Sequence, residues 1–342
     1  YVLVYTDDIL AISMNPKDIL DRMDQHFLLK TGSIGPPTQY LGSSIGKYTV
    51  DGDECWYMGS DQYVAEAIRN VTTWLSSRDL MLKTKVASTL PSNYIPEMDS
   101  TPYLNDEDTN YYQQQMGVLR WAVELGRIDI CAEVSIMAGF NAAPREGHLA
   151  AVMHIFAWLK GHTRSKVVLD PDYVLHEEVE KPEWSEFYTD ATELIPPDMP
   201  EPRGQPVQMT TFVDSDHAGD KVTRRSRTGV LVFLNRAPIV WYSKKQNSIE
   251  TSSFGSEFTA MKVGVEISEG LRYKLRMMGV PLVGATHVKA DNMSVVTNSS
   301  LPESTLKKKS YSIAYHYVRE RAASGASAVT YEPTTTNLAD ML

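Results

Sequence analysis

The sequence predicts an α/β protein of the α+β kind, with a mostly helical N-terminal part and a mixed sheet in its C-terminal part. The chain has 342 residues, which at about 100–200 residues per domain suggests two or three domains. From residue 207 onward, strand-type and helix-type runs alternate, as they do in mixed-sheet layouts. Between the two parts, residues 177–206 hold nine acidic residues and six prolines, a composition typical of an exposed, stiffened linker.

The N-terminal part opens with two apolar runs, residues 2–5 and 9–12, on either side of a Thr-Asp-Asp turn. This pattern predicts a β-hairpin with an acidic turn. Further along, apolar residues recur at the three- and four-residue spacing of helices. The other elements expected before residue 170 are a helix over 16–28, strands over 40–50 and 54–59, a helix over 61–75, a loop over 85–108, and helices over 110–124, 127–140 and 146–160.

The pattern of the C-terminal part predicts three successive strands, a long helix, and then strands that alternate with helices. We expect strands over 208–213, 228–234, 238–243, 286–291 and 326–332, and helices over 252–278, over 307–323 and from about residue 335. Such an order predicts a mixed five-stranded sheet with flanking helices.

Composition excludes several classes of function. The 33 Lys and Arg against 43 Asp and Glu, net charge −10, argue against a generally basic nucleic-acid-binding surface, although a local basic groove stays open because counterion release depends on the contact surface. No stretch reaches the ~18 apolar residues of a membrane helix, and two cysteines are too few for a disulfide scaffold. Because the chain starts inside a strand-like run, we expect an internal piece of a longer polyprotein.

Adjacent carboxylates in the first turn, Asp7 and Asp8, suggest a cation site. Like charges this close repel unless a cation neutralises them, and Mg²⁺ prefers oxygen ligands of this kind. The alternative is a solvated turn, in which Asp is common.

Four further carboxylates are spaced along the C-terminal part. Asp214 and Asp291 end predicted strands, Glu257 lies near the start of the long helix, and Asp340 lies in the last predicted helix. In open α/β sheets, chemistry collects beyond strand ends, and such a cluster suits two Mg²⁺ ions that activate water and stabilise a leaving oxygen at phosphorus. Taken singly, each acid could instead be a capping or surface carboxylate.

The run YVLVYTDDILAIS closely resembles the Tyr-x-Asp-Asp box of reverse transcriptases, specifically those of copia-type (pseudovirid) retrotransposons. Other segments resemble the same family in the same order, among them FLLKTGSIGPPTQYLGSSI, QMGVLRWAVELGRIDICAEVS and most of 207–342. The resemblance implies a Pol polyprotein fragment. It comprises the C-terminal part of a reverse transcriptase palm over 1–108, a helical thumb or connection over 109–170, an acidic Pro-rich linker over 171–206 and a ribonuclease H-like domain over 207–342.

By this resemblance, Asp7 and Asp8 correspond to the second and third metal-binding aspartates of the palm. The family's remaining palm aspartate and its fingers would precede Tyr1. We therefore expect an incomplete polymerase site, and no DNA polymerisation by these residues alone.

The ribonuclease H resemblance is carried by four short boxes. Asp214 opens an Asp-x-Asp box, with Asp216 as a helper, and Glu257 matches the second Glu of a Ser-Ser-x-Glu-Ala-Glu-Tyr box. Asp291 begins an Asp-Asn pair, and Asp340 ends a Leu-Ala-Asp box. The resemblance implies that Asp214, Glu257, Asp291 and Asp340 are catalytic and hold two Mg²⁺ ions, with Mn²⁺ as a substitute, to cut the RNA strand of an RNA–DNA hybrid.

Three positions depart from the family pattern. Gly255 replaces the first Glu of its box, and Ser310 and Ser312 stand where the family has His and Asp. We expect the change at Gly255 to be tolerated, and the two serines to affect the grip on substrate rather than the binding of metal.

Local basic clusters are candidates for phosphate contacts, which position a duplex without reading its sequence. The candidates are Arg224, Arg225, Lys244, Lys245 and Lys309, the last in a run with Lys307 and Lys308. The alternative is a solvated charged face. The resemblance implies as partners an RNA–DNA hybrid and the rest of the Pol polyprotein, with its upstream fingers and palm and its integrase. It implies no membrane, and a cytoplasmic location in virus-like particles with access to the nucleus, without secretion.

Two other functions stay open. The first is an inactive or co-opted retroelement remnant that only binds nucleic acid, which the missing polymerase parts and the three departures suggest. The second is an integrase- or transposase-like nuclease of the same fold, which the Leu-Ala-Asp context of Asp340 and the upstream polymerase-like segments disfavour.

Overall fold

The structure is a computed structural model that describes residues 1–176, 182–184, 186–306 and 309–342. The expected basic residues Lys307 and Lys308, and residues 177–181 and 185 of the expected linker, lie outside the described residues. The elements of the N-terminal part are β1 Val2–Tyr5, β2 Asp8–Ala11, α1 Pro16–Phe27, β3 Gln39–Tyr40, β4 Ser43–Val50, β5 Asp53–Gly59, α2 Asp61–Ser76, α3 Asp106–Glu124, α4 Cys131–Ala138, α5 Glu146–Gly161 and β6 Lys166–Leu169.

The elements of the C-terminal part follow the predicted order. They are β7 Met209–Asp216, β8 Arg227–Leu234, β9 Ala237–Lys245, α6 Ser253–Met277, β10 Thr286–Ala290, α7 Met293–Ser300, α8 Ser312–Ala323 and β11 Ser327–Tyr331. Short 3-10 turns complete the described chain, at Pro96–Met98, Ile128–Ile130, Lys309–Tyr311, Thr334–Thr336 and Leu338–Met341.

The first hairpin forms as predicted. Strands β1 and β2 pair in antiparallel register, with Tyr5 opposite Asp8, and Thr6 adopts a left-handed φ of 53° in the turn. All four residues of β1 are exposed, and within the described chain the pair forms a sheet of its own. Because an isolated two-stranded hairpin is only marginally stable in water, this is the least supported element of the fold.

Helices α2 to α5 enclose one hydrophobic core beside a four-stranded antiparallel sheet of order β3-β4-β5-β6. In α2, the buried residues Val64, Ala67, Val71 and Leu75 recur every three or four positions, which is the spacing of one helix face. Strand β6 was not predicted, because its four residues are too few for a periodic signal. It pairs with β5 and so completes the four-stranded sheet.

The second sheet is mixed and has five strands in the order β11-β10-β7-β8-β9. Strands β7, β8 and β9 are antiparallel neighbours, and β10 runs parallel to both β7 and β11. The predicted mixed five-stranded sheet with flanking helices is thereby confirmed.

This sheet lies between two cores. Val213, Val230 and Val232 pack with α6 and α8 in one core, whereas Phe212 and Leu231 pack with the N-terminal helices in the other. Successive side chains of a strand point to opposite faces, which explains how one strand supplies both cores. The N-terminal helices therefore cover one face of the sheet, and α6 and α8 cover the other.

Two predicted features at the C-terminal end need correction. The last helix, expected from residue 335, is replaced by the 3-10 turns Thr334–Thr336 and Leu338–Met341, since the segment has no apolar periodicity to bury as a helix. Helix α7 was missed because its eight residues are mostly polar.

The acidic Pro-rich segment is not a free linker where the structure describes it. We call residues 182–184 and 186–206 the strap. In it, Trp184 is only 8% exposed and lies under the Arg319 guanidinium at 4.8 Å, while Glu193 accepts hydrogen bonds from Arg272 and Arg276 of α6. Most residues of the strap are exposed, as expected. Its Trp184 and Glu193 are nevertheless held by arginines of α6 and α8, so the strap lies against these helices.

Among the described residues, no helix combines the length and the apolar character needed to cross a membrane.

Candidate active site

Three of the four predicted carboxylates meet at one edge of the five-stranded sheet. Asp214 belongs to β7, Asp291 follows β10, and Glu257 lies in the first turns of α6. The β7–β10 register pairs Phe212 with Lys289, and its continuation by two residues aligns Asp214 with Asp291. Parallel pairing thus places the two strand-end aspartates side by side, and α6 adds Glu257 next to them.

The cluster is compact. Asp214, Glu257 and Asp291 each offer a carboxylate oxygen, and these oxygens lie within 4.8 Å of one another. Glu257 is 8% exposed, and Asp214 and Asp291 are partly buried. Asp340 lies outside this trio, on an exposed position of the last 3-10 turn, yet its charge contributes to the raised pKa of Asp214.

Burial and mutual repulsion make these acids poor anions without a cation. Desolvation, then the charges of Asp291 and Asp340, raise the pKa of Asp214 to about 6. Desolvation, then the charges of Asp214 and Asp291, raise the pKa of Glu257 to about 8, although hydrogen bonds from Ser215 act the other way. Carboxylates that share a site shift in this direction, and a bound divalent cation would reverse the shift.

The donor set fits a hard divalent cation. One carboxylate oxygen of Glu257, Oε2, is buried without a hydrogen-bond partner among the described residues. A buried polar atom is normally paired, so an unpaired oxygen on a member of this cluster suits a metal ligand. Oxygen-only donors favour Mg²⁺ or Mn²⁺ over softer metals.

Sequence reasoning missed two neighbours of the cluster. Thr334 Oγ1 donates a hydrogen bond to Asp291 Oδ2 at 2.6 Å, which fixes the orientation of that carboxylate. Asn337 is 5% exposed, and its side chain forms hydrogen bonds with the backbone of Val213 and of Ala339. An Asn that immediately precedes a short turn is a recognisable capping signal, and this signal could have singled out Asn337.

Asp216, the expected helper, is not part of the trio. Its carboxylate accepts a hydrogen bond from the backbone N–H of Arg227 across the β7–β8 pair, and burial raises its pKa. It lines a cavity of about 120 Å³ together with Glu97, Asp220, Arg225 and Lys245. The structure thus separates Asp216 from the three-carboxylate cluster.

The candidate phosphate-binding residues differ in their environments. Arg224, Arg225, Lys244 and Lys309 are exposed. Lys245, in contrast, forms an ion pair with Asp220 at 2.7 Å, and Asp220 also accepts hydrogen bonds from the backbone N–H groups of the loop that follows it. Lys245 therefore helps to order the loop that displays Arg224 and Arg225.

Asp7 and Asp8 are exposed in the first hairpin. Among the described residues, the one group of three or more candidate metal ligands is Asp214, Glu257 and Asp291. No third ligand thus joins Asp7 and Asp8 in the described chain.

Gly255, which replaces a Glu of the family pattern, has no room for a larger side chain. A Cβ at this position would collide with the hydroxyl oxygen of Tyr311. The Tyr311 ring thus occupies the space next to Gly255, and its hydroxyl interacts with Glu250 in the loop before α6.

Comparison with known proteins finds relatives that include retrotransposon polyproteins. No protein-family model matches the chain. In an alignment of 345 positions that covers the whole chain, it is 24% identical to the retrovirus-related Pol polyprotein from transposon RE1 of Arabidopsis thaliana and covers 20% of it. It is 23% identical over 351 residues to the corresponding polyprotein from transposon TNT 1-94 of Nicotiana tabacum, covering 23% of it. The chain thus spans about a fifth of the length of these relatives.

A shorter relative is covered more fully. A transposon Ty5-1 protein of Saccharomyces cerevisiae is 26% identical over 272 residues, which are 78% of this chain and 73% of that protein. Among solved structures, LC11-RNase H1 in complex with an RNA/DNA hybrid aligns at 14% identity and a TM-score of 0.32, covering 40% of this chain and 93% of that one. RNase H1 of Halobacterium salinarum aligns at 12% identity and a TM-score of 0.29, covering 40% and 91%.

The five-stranded sheet has an antiparallel triplet followed by two parallel strands, which is the mixed-sheet order predicted for the C-terminal part. Three of these relatives are retrovirus-related Pol polyproteins from transposons, which confirms the resemblance to retrotransposon Pol polyproteins found in the sequence.

Proposed function

We propose that this chain catalyses the divalent-cation-dependent hydrolysis of the RNA strand of RNA–DNA hybrids, as the ribonuclease H part of a retrotransposon Pol polyprotein. The observation that carries the proposal is the convergence of Asp214, Glu257 and Asp291 within 4.8 Å. The strand order of the five-stranded sheet and the boxes that resemble those of ribonuclease H domains support it.

The carboxylates have different roles in binding the metal. Asp214, Glu257 and Asp291 hold Mg²⁺ through their clustered oxygens, Asp340 completes the set from the rim, and Thr334 keeps the Asp291 carboxylate oriented. A bound pair of divalent ions supplies charge stabilisation for an in-line displacement at phosphorus. The products would carry 3′-hydroxyl and 5′-phosphate ends.

The division of the chain is part of the same proposal. Residues 1–108 correspond to the end of the polymerase palm, 109–170 to the thumb or connection, 171–206 to the segment that joins the two parts, and 207–342 to the ribonuclease domain. The rest of the Pol polyprotein is the proposed partner, in cytoplasmic virus-like particles.

The direct test is to incubate the protein with Mg²⁺ and an RNA–DNA hybrid labelled on its RNA strand. We expect internal cuts in the RNA and none in the DNA. If the protein binds the hybrid and the RNA stays intact, the activity is refuted and the remnant that only binds nucleic acid is favoured. Strand transfer into a DNA duplex would instead indicate an integrase-like nuclease.

We expect no incorporation of deoxynucleotides by this chain on a primed RNA template. Metal-assisted phosphoryl transfer needs a complete ligand set, and Asp7 and Asp8 have no third carboxylate beside them in the described chain. A primer-extension assay measures this, with an intact reverse transcriptase as the positive control. Extension by the 342 residues would contradict the expectation.

Replacing Arg225 by Ala should weaken binding of any hybrid sequence by a similar factor. An exposed Arg that contacts phosphate contributes salt-dependent affinity without sequence preference, and its loss should reduce the slope of log K against log salt by about 1. Fluorescence anisotropy over a series of salt concentrations measures both values. Lys160→Ala, which removes an exposed charge on α5, is the control, and an equal effect of the two variants would contradict a specific contact.

A further inference from the structure

The proposed ribonuclease site depends on a carboxylate whose own element is small. Asp340 lies in the four-residue 3-10 turn Leu338–Met341, and its side chain is exposed. A single turn has little stability of its own. The position of Asp340 relative to the trio is therefore decided by whatever holds this turn against the sheet.

We propose that Gly229 and Asn337 are positioning residues that hold the last turn so that Asp340 completes the acidic cluster. This inference deepens the proposed function and rests on it. Two independent contacts support it, one made by a side-chain amide and one made possible by a missing side chain.

Asn337 links the strand of Asp214 to the turn of Asp340. Its Nδ2 donates to the carbonyl oxygen of Val213 at 3.0 Å, one residue before Asp214. Its Oδ1 accepts from the backbone N–H of Ala339 at 3.2 Å, one residue before Asp340. A single buried amide thus fixes the spacing of the two backbones that carry the carboxylates.

Gly229 allows the turn to approach the sheet. In the β7–β8 ladder, Gly229 is the direct partner of Asp214. A Cβ on Gly229 would lie 2.8 Å from the carbonyl oxygen of Ala339 and 2.9 Å from the Cβ of Leu342. Both distances are too short for real side-chain carbons, so any larger residue at 229 would push the turn away from Asp214.

The N-terminal helices hold the other side of the same turn. Ala339 and Leu342 are buried in the core formed by these helices, and Ser243 Oγ donates to the carbonyl oxygen of Leu342. Ser135 of α4 in turn donates to the carbonyl oxygen of Ser243 at 2.6 Å. The turn is thus enclosed between the sheet and the helices, and a clash at Gly229 cannot be relieved by a small shift outward.

The test compares Gly229→Ala and Asn337→Ser with Asp340→Asn, each alone and combined with it. Ser at 337 retains an oxygen that can cap the turn but loses the amide donor to Val213, and neither change adds a charge. Titration with Mg²⁺ alone, followed by NMR, gives the metal affinity, and hybrid cleavage at increasing Mg²⁺ gives the concentration for half-maximal rate. Circular dichroism confirms that each variant is folded.

We expect each single variant to weaken Mg²⁺ binding by about 10-fold to 100-fold, the usual effect of losing an outer-shell support. In the Asp340→Asn background, neither Gly229→Ala nor Asn337→Ser should weaken it further, because the carboxylate that they position is already neutral. The control Gly270→Ala, at an exposed helix position with open space around it, should leave Mg²⁺ binding unchanged.

Additive losses in the double variants, or unchanged Mg²⁺ binding in both single variants, would overturn the inference, since either result means that the two residues do not act through Asp340. Failure of the wild-type protein to cleave a hybrid would refute the proposed function instead. The metal titration alone would then show whether Gly229 and Asn337 position Asp340.

Discussion

Replacing Asp291 by Asn should reduce cleavage of an RNA–DNA hybrid by more than about 100-fold without lowering the free energy of unfolding. The activity falls because the neutral amide of the variant cannot supply the anionic oxygen that the cluster uses for cations. Stability is retained because the charge of Asp291 is one cause of the raised pKa of Asp214, so its removal relieves repulsion. Single-turnover cleavage assays and urea denaturation without metal measure the two effects.

Asp198→Asn is the matched control, since Asp198 is an exposed carboxylate of the strap. It should leave both the cleavage rate and the stability unchanged. An Asp291→Asn protein that cuts the hybrid as fast as the wild type would eliminate the proposed site, and any observed nuclease would then have to lie elsewhere.

Replacing Glu193 by Gln should destabilise the protein by about 3 kcal/mol at pH 7. The Glu193 side chain is only 16% exposed, and its carboxylate pairs with Arg272 and Arg276. Although burial acts against it, hydrogen bonds and charges of these two arginines lower the pKa of Glu193 from 4.5 to about 2. A Gln would leave two guanidinium groups without their anion, and breaking such a pair is costly.

The pH dependence of this effect has a defined sign. Because the pKa of Glu193 is lower in the folded state, its contribution is present in full above pH 4.5 and is lost as the pH falls toward about 2. The difference in stability between wild type and Glu193→Gln should therefore shrink between pH 4.5 and about 2, as urea denaturation at several pH values would measure. Asp198→Asn again serves as control, and a difference that stays constant with pH would contradict the ion-pair explanation.

The elements predicted most successfully from the sequence carry long or strongly patterned runs. Strand β8 and helix α6 are of this kind, and the strand ends that follow from such patterns place Asp214 and Asp291 correctly. Strand β6 and helix α7 were missed because four and eight residues carry little periodicity. Short elements of this kind are defined by their tertiary partners rather than by their own residues.

The candidate site was predicted less completely than the fold. All four acids were placed from the predicted elements, but the helix expected to carry Asp340 is a 3-10 turn in the structure. The capping signal of Asn337 is local. Its bond to Val213 and the contacts of Gly229 with the last turn, however, join residues more than 100 positions apart in sequence, which no local pattern encodes. The contacts of the strap were missed for the same reason, since its composition indicates polarity but not the two arginines, 79 and 83 residues away, that bind Glu193.

The shared sheet has a consequence for dividing the chain. Phe212 and Leu231 face a core built by the N-terminal helices, and Trp241 donates a hydrogen bond to the carbonyl oxygen of Val123 at 2.9 Å. A cut between residues 206 and 207 would follow the topology, but it would remove the N-terminal helices that cover one face of the sheet. The excised piece would expose an apolar surface and would be prone to self-association. The boundary predicted from the sequence therefore does not separate two parts that are each covered on all sides.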